Sequence, residues 1–176
     1  MTIAVAGDPS SCSRAGGTLR QLASQVRAAG RSAHRAFDLG EGGDPARPAA
    51  VERAARRRYD TVDQAAAALA TELDRVGKDL QAHASDLAEA LATARQLDSR
   101  AAVAGLRIAD GRVVPDWGVS GVADSSAATT QESARTALQS ELDTVQHRLR
   151  QQRRRLAVTA AQAQATLAAH ATALRH

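Results

Sequence analysis

The residue types suited to chemistry in this 176-residue sequence are two histidines at helical seam positions, His83 and His147, a series of carboxylates, one cysteine and two dense arginine clusters. Carboxylates act as general acid and base only when they converge in a pocket. Asp60, Asp63, Glu72, Asp74, Asp86 and Glu89 are instead spread along one helical stretch, which is the distribution of a solvated face. A histidine pair can titrate near neutral pH, or bind a metal when cysteine or carboxylate ligands complete the set. Without such company, His83 and His147 read as a polar break in a helical seam. The single Cys12 excludes an internal disulfide and falls where a small core residue is needed. The sequence therefore predicts neither catalytic residues nor a metal or cofactor, and no enzymatic activity.

The arginines carry most of the charge. Formal net charge is +4 at a sequence pI near 10.4, and Lys78 is the only lysine. Arg53, Arg56, Arg57 and Arg58, with Arg148, Arg150, Arg153, Arg154 and Arg155, have the density of a phosphate-backbone stripe. No aromatic residue interleaves with them for base stacking. Counting outward from the connector between helices two and three sets Arg148–Arg155 opposite Asp74, Asp79 and Asp86, and His147 opposite His83. Pairing across the bundle then accounts for the cluster, and nucleic acid is not expected as a partner. Trp117, beside Gly118, is expected to cap the open end of the helix pair at this connector, since its large apolar area needs a packing site.

The elements that position these residues follow from composition. Apolar residues make up 44% of the chain and aromatics 2%, and 42 residues are alanine. Alanine has the best helix propensity and little surface to bury, so the chain can form long helices and cannot fill a wide core. The fold class is all-α, an elongated antiparallel bundle of three helices with a small β-hairpin-like loop between helices two and three. After a disordered stretch at 1–8, a Gly7-Asp8-Pro9 start opens a helix over 9–39, with Gly16-Gly17 leaving a second possible start at Thr18. A turn at 40–45 leads to a long helix over 46–105, whose seam alternates steps of three and four from Val62 to Ala104 in the manner of a coiled coil. Residues 106–122 form a connector in which apolar and polar residues alternate around Asp110-Gly111, a hairpin signal. A third helix spans 123–176 and packs back on the second. No stretch of about 20 apolar residues is present for a membrane span, and Met1–Gly7 has no basic region of a signal peptide.

Equal counting about each turn puts residues near 50–78 in a three-helix layer and leaves 79–105 with helix three alone. A two-stranded Ala/Leu stem is marginal by itself. Leu80, Leu87, Leu91, Leu97, Leu138, Leu142, Val145 and Leu149 are therefore expected to form a partner-helix interface, either with a second copy in a homo-oligomer or in a heterodimer with another helical protein.

A helix, a Gly-rich turn and a longer antiparallel helix, with a Gly-Asp-Pro start, resembles the Trp-Xaa-Gly helical-hairpin proteins of type VII (ESX) secretion systems of actinobacteria and other Gram-positive bacteria. The stretch from Arg58-Tyr59-Asp60 through Leu69, Leu73, Leu80, Leu87 and Leu91 most resembles the related N-terminal domains of polymorphic toxins. The resemblance covers about residues 7–105. It implies a hairpin that dimerises into a four-helix bundle and export without a conventional signal peptide; the alternative location is the cytoplasm. The family's secretion signal is Tyr-Xaa-Xaa-Xaa-Asp/Glu beside a Trp-Xaa-Gly turn. Tyr59 and Asp63 match the first half early in helix two, whereas Gly40-Glu41-Gly42-Gly43 stands where the family has its tryptophan turn.

Overall fold

The computed structural model of the protein describes residues 7–40, 49–116 and 125–173. It is all-α apart from one small sheet: α1 (Pro9–Gly40), α2 (Ala49–Val103), β1 (Leu106–Ala109), β2 (Arg112–Pro115) and α3 (Ser125–Ala173). The end of the turn at 40–45 and the connector beyond Asp116, including Trp117, lie outside the described residues, as does the chain at 1–6.

Local chemistry sets the ends of these elements. Asp8 caps α1, its Oδ1 accepting from the Ser10 amide at 3.0 Å and the Ser10 hydroxyl at 2.8 Å, and Pro9 occupies the first helical position, where its missing N–H costs nothing. A Cβ on Gly7 would lie 2.7 Å from Leu87 Cδ2, so this residue packs directly on α2. Gly16 and Gly17 are interior to α1, and there is no second start at Thr18. α2 ends where Gly105 takes a positive φ of 68°, the left-handed conformation that closes many helices. Asp110 and Gly111 follow with φ of 51° and 75°, the two positive values of a type I′ turn. β1 and β2 pair antiparallel with Ile108 facing Val113, and the Asp116 amide donates to the Gly105 carbonyl at 3.0 Å to close the base.

The chain divides into two compact units, which use different physics. The first unit contains 83–155 and the described residues up to Ser10. Its core is built on leucine, with alanine, one isoleucine and one valine: Leu97, Ala101, Leu106, Ile108, Val113, Leu138 and Leu142 form one cluster, and Leu87, Ala90, Ala94 and Leu149 a second. The hairpin does not project from the helices. The Val113 amide donates to Gln139 Oε1 at 2.8 Å, Gln131 Nε2 donates to the Ala104 and Gly105 carbonyls, and the space beside Gly111 is filled by Gln146. Its base is therefore near Gln131 and its tip beside Gln139 and Gln146, so that it lies back along α3 and seals the apolar seam. This corrects the expectation that α2 beyond residue 79 has only the third helix beside it.

The second unit contains 11–82 and the part of α3 from Leu156 onward. Every buried described residue in it is glycine or alanine: Gly16, Ala23, Gly30, Ala65, Ala70, Gly77 and Ala163. Gly16, Ala23 and Gly30 recur every seven residues along α1, and Asp63, Ala70 and Gly77 do the same along α2. A Cβ on Gly16 would meet the Gly77 carbonyl oxygen at 2.6 Å, and one on Gly30 would meet Ala66 Cβ at 2.7 Å. The antiparallel helices thus approach to backbone contact, which recovers dispersion energy that small side chains cannot supply across a wider gap.

Adding a methyl group tests this close approach. Gly77→Ala gains up to about 1 kcal/mol of helix propensity but forces the new Cβ against backbone and against Arg20 Cγ at 2.6 Å, an overpacking cost of about 1–3 kcal/mol. Thermal unfolding is expected to show net destabilisation for Gly77→Ala and Gly16→Ala. The neighbouring Gly17→Ala, whose Cβ would meet nothing nearer than Gln81 Nε2 at 3.9 Å, is expected to stabilise.

Candidate functional site

The residues expected to form a partner interface sit in different environments. Leu87, Leu97, Leu138, Leu142 and Leu149 are 0–5% exposed, packed inside the chain by the hairpin and by the pairing of α2 with α3. They are corrected from intermolecular to intramolecular core, because a side chain with no accessible surface has none left to bury against a partner. Leu80, Leu91 and Val145 are half-buried. Val145 lies in a shallow cleft between α2 and α3, with Asp86, Glu89, Thr93, Arg148 and Gln152 as its polar lining.

The register of this helix pair differs from the one obtained by counting. Arg100 is forked onto Glu141 at 2.6 and 2.8 Å, Gln152 Nε2 donates to Asp86 Oδ2 at 2.6 Å, and Arg148 lies 4.0 Å from Glu89. The first turns of α3 run beside the folded-back hairpin, so α3 meets α2 later in its own sequence than equal counting allows. Asp74, set opposite the arginine cluster by counting, has its partners on α1 and α2. It is held by Lys78 at 2.7 Å and Arg20 at 3.2 Å. His147 is not opposite His83. It is exposed and shares a hydrogen bond with Gln151 one turn on, whereas His83 is buried on α2 with no hydrogen-bond partner at Nδ1. Cys12 is half-buried and free. Among the described residues no group of His, Cys, Asp or Glu is arranged to hold a metal ion, and no helix is long and apolar enough to cross a membrane.

At the far end of the α1/α2 pair, Tyr59 stacks on Phe37 with ring centroids 4.5 Å apart and planes at 27°, and is 36% exposed. Asp63, one turn along, is half-buried beside Gly30, whose hypothetical Cβ would be 3.0 Å from Asp63 Oδ1. Their spacing puts both on one face of α2. Nearby, His34 lies 3.6 Å from Asp38 and 3.7 Å from Asp60. The pairing of these elements through small residues is the feature that sequence reasoning missed, and the seven-residue recurrence of Gly16, Ala23 and Gly30 is the signal from which it could be read. No protein-family model matches the chain, and neither the curated proteins nor the solved structures offer a match.

The exposed ion pairs respond to pH in a definite direction. Hydrogen bonding by Arg100 holds the Glu141 carboxyl below the usual range for glutamate, with partial desolvation opposing, and Arg135 does the same to Glu132. The Asp74 carboxyl is lowered chiefly by its hydrogen bond from Lys78, with Arg20 adding to it. A carboxyl whose folded-state pKa is depressed contributes stability above its unfolded value and loses it as pH falls through the folded value. The melting temperature should therefore fall on acidification from about pH 5 to about pH 3, the carboxylate range. Glu141→Gln should melt slightly lower than wild type at neutral pH, and the gap should close over that interval.

Proposed function

We propose that this chain acts without catalysis, by helix–helix association, as a secreted substrate, partner or adaptor of a type VII-like secretion system. The observation that carries the reading is the presentation of Tyr59 and Asp63 together on one face of α2, with the tyrosine stacked on Phe37 and still partly exposed. A stack fixes the ring without consuming its hydroxyl edge, which suits a residue that must be read by another protein. The antiparallel hairpin of α1 and α2 is the arrangement that the resemblance to Trp-Xaa-Gly proteins implies, and its backbone contact at Gly16 and Gly77 supports a rigid unit for such recognition. For the partner helix, the half-buried Leu80, Leu91 and Val145 leave apolar surface that a second copy or another helical protein can cover.

Export is the direct test. The protein is expected in the culture medium of its native host. Tyr59→Ala should abolish its appearance there while the cell-associated protein keeps its helical circular dichroism; Tyr59→Phe keeps the stack and isolates the hydroxyl. Retention of the wild-type protein inside cells would overturn the export reading in favour of a cytoplasmic helical scaffold.

A further inference from the structure

Of the carboxylates that counting sets opposite the arginines of α3, none forms an ion pair with Arg150, Arg154 or Arg155 among the described residues. Of the carboxylates on α2, Asp86 accepts from Gln152, Glu89 lies 4.0 Å from Arg148, and Asp74 is held by Arg20 and Lys78. α3 itself supplies none, because Asp143 is the last acidic residue in the sequence. Arg150, Arg154 and Arg155 are exposed and form no ion pair among the described residues, in contrast to Arg100 and Arg135, which grip Glu141 and Glu132 on the same helix pair. Arg150 Nε donates to the Gln146 carbonyl at 3.3 Å, and among the described residues no hydrogen bond or ion pair is made by its terminal nitrogens.

We propose that Arg150, Arg154 and Arg155 form a docking face for the phosphate backbone of a nucleic-acid duplex, read without regard to base sequence. Arg150 and Arg154 stand one helical turn apart, about 6 Å between Cβ atoms, a spacing at which two extended guanidinium forks reach successive phosphates of one strand. Guanidinium groups bind phosphate oxygens in bidentate fashion and are more weakly hydrated than ammonium groups, which favours this chemistry over simple charge attraction. The duplex is selected over a single strand because, among the described residues, no aromatic side chain lies on this face to stack bases; Phe37 and Tyr59 are occupied with each other. It is selected over a lipid surface because the residues between the arginines, Gln151 and Gln152, are polar, and the exposed Val158 one turn on is a single apolar side chain where a helix lying in a bilayer interface needs a continuous apolar face.

Fluorescence anisotropy with a labelled mixed-sequence DNA duplex tests the assignment on the full chain. With three phosphates neutralised, affinity is expected to fall about 40-fold between about 50 and about 200 mM salt. The triple variant Arg150→Ala/Arg154→Ala/Arg155→Ala should bind at least about tenfold more weakly at the lower salt and lose most of the salt dependence, with unchanged helicity and melting temperature. The corresponding triple lysine variant should recover the salt dependence but not the full affinity. An equivalent alanine triple at Arg53, Arg57 and Arg58 should leave binding largely intact. Absence of salt-dependent binding, a wild-type response from the α3 alanine triple, or tighter capture by anionic phosphatidylserine vesicles than by the duplex would each overturn the proposal.

Discussion

Leu87, Leu97, Leu106, Leu142 and Val113, the largest fully buried side chains, all belong to the unit formed by residues 83–155 and the start of the described chain, and the packing of that unit depends on this concentration of volume. A chain with one phenylalanine, one tyrosine and one tryptophan has little bulk to distribute. Spreading it evenly along helices of 55 and 49 residues would leave every segment under-packed. Here the large residues are gathered at one place and sealed there by a β-hairpin of only four residues per strand. The seal works because Leu106, Ile108 and Val113 point inward from the pleat while Arg107 and Arg112 point out, giving the helix pair a third layer that it could not obtain from alanine.

The second unit meets the same scarcity in the opposite way. Where no large side chain is available, the helices are drawn together until backbone atoms are in contact. The two solutions carry different sensitivities. A leucine core tolerates exchange among residues of similar volume and suffers when a side chain is truncated. A glycine–alanine contact has almost nothing to truncate and suffers when atoms are added. Polar contacts between helices, such as Arg20 with Asp74 and Gln81, lie at the rim in both units, in keeping with the small net worth of exposed ion pairs.

Periodicity and turn chemistry made most of the architecture legible from sequence. The three helices, the Asp8-Pro9 start and the hairpin around Asp110-Gly111 follow from residues within a few positions of one another, and such local signals survive folding intact. What depended on the third dimension did not. Gly16 and Gly17 read equally well as a helix start or a helix interior, since propensity counts a glycine as a cost and the compensating approach of Gly77 comes from 61 residues away. The register of α3 on α2 was not legible, because nothing in Leu106–Pro115 says whether a hairpin projects or folds back. That one choice decides whether the arginines of α3 face acids or solvent. It also decides whether Leu97 and Leu142 are an interface or a core. Tyr59 and Asp63, being local, were visible as a pair; the stack on Phe37 was not.

The seven-residue recurrence of small residues has a consequence for how uniquely the α1/α2 pair is aligned. Sliding one helix past the other by a single repeat would bring Gly16 against Ala70 and Ala23 against Asp63, so small residues again meet, but with a methyl group where Gly77 has none and a carboxylate where Ala70 has a methyl. Steric fit alone therefore separates neighbouring registers only by the cost of the added atoms, about 1–3 kcal/mol for a methyl group, a shallow degeneracy like a rack with nearly even teeth. The degeneracy is lifted by groups that occur only once: the Phe37–Tyr59 stack at one end and the contacts of Arg20 with Asp74 and Gln81 at the other. These two clasps add little to the depth of the energy well, and their larger effect is to choose which of several similar wells is occupied.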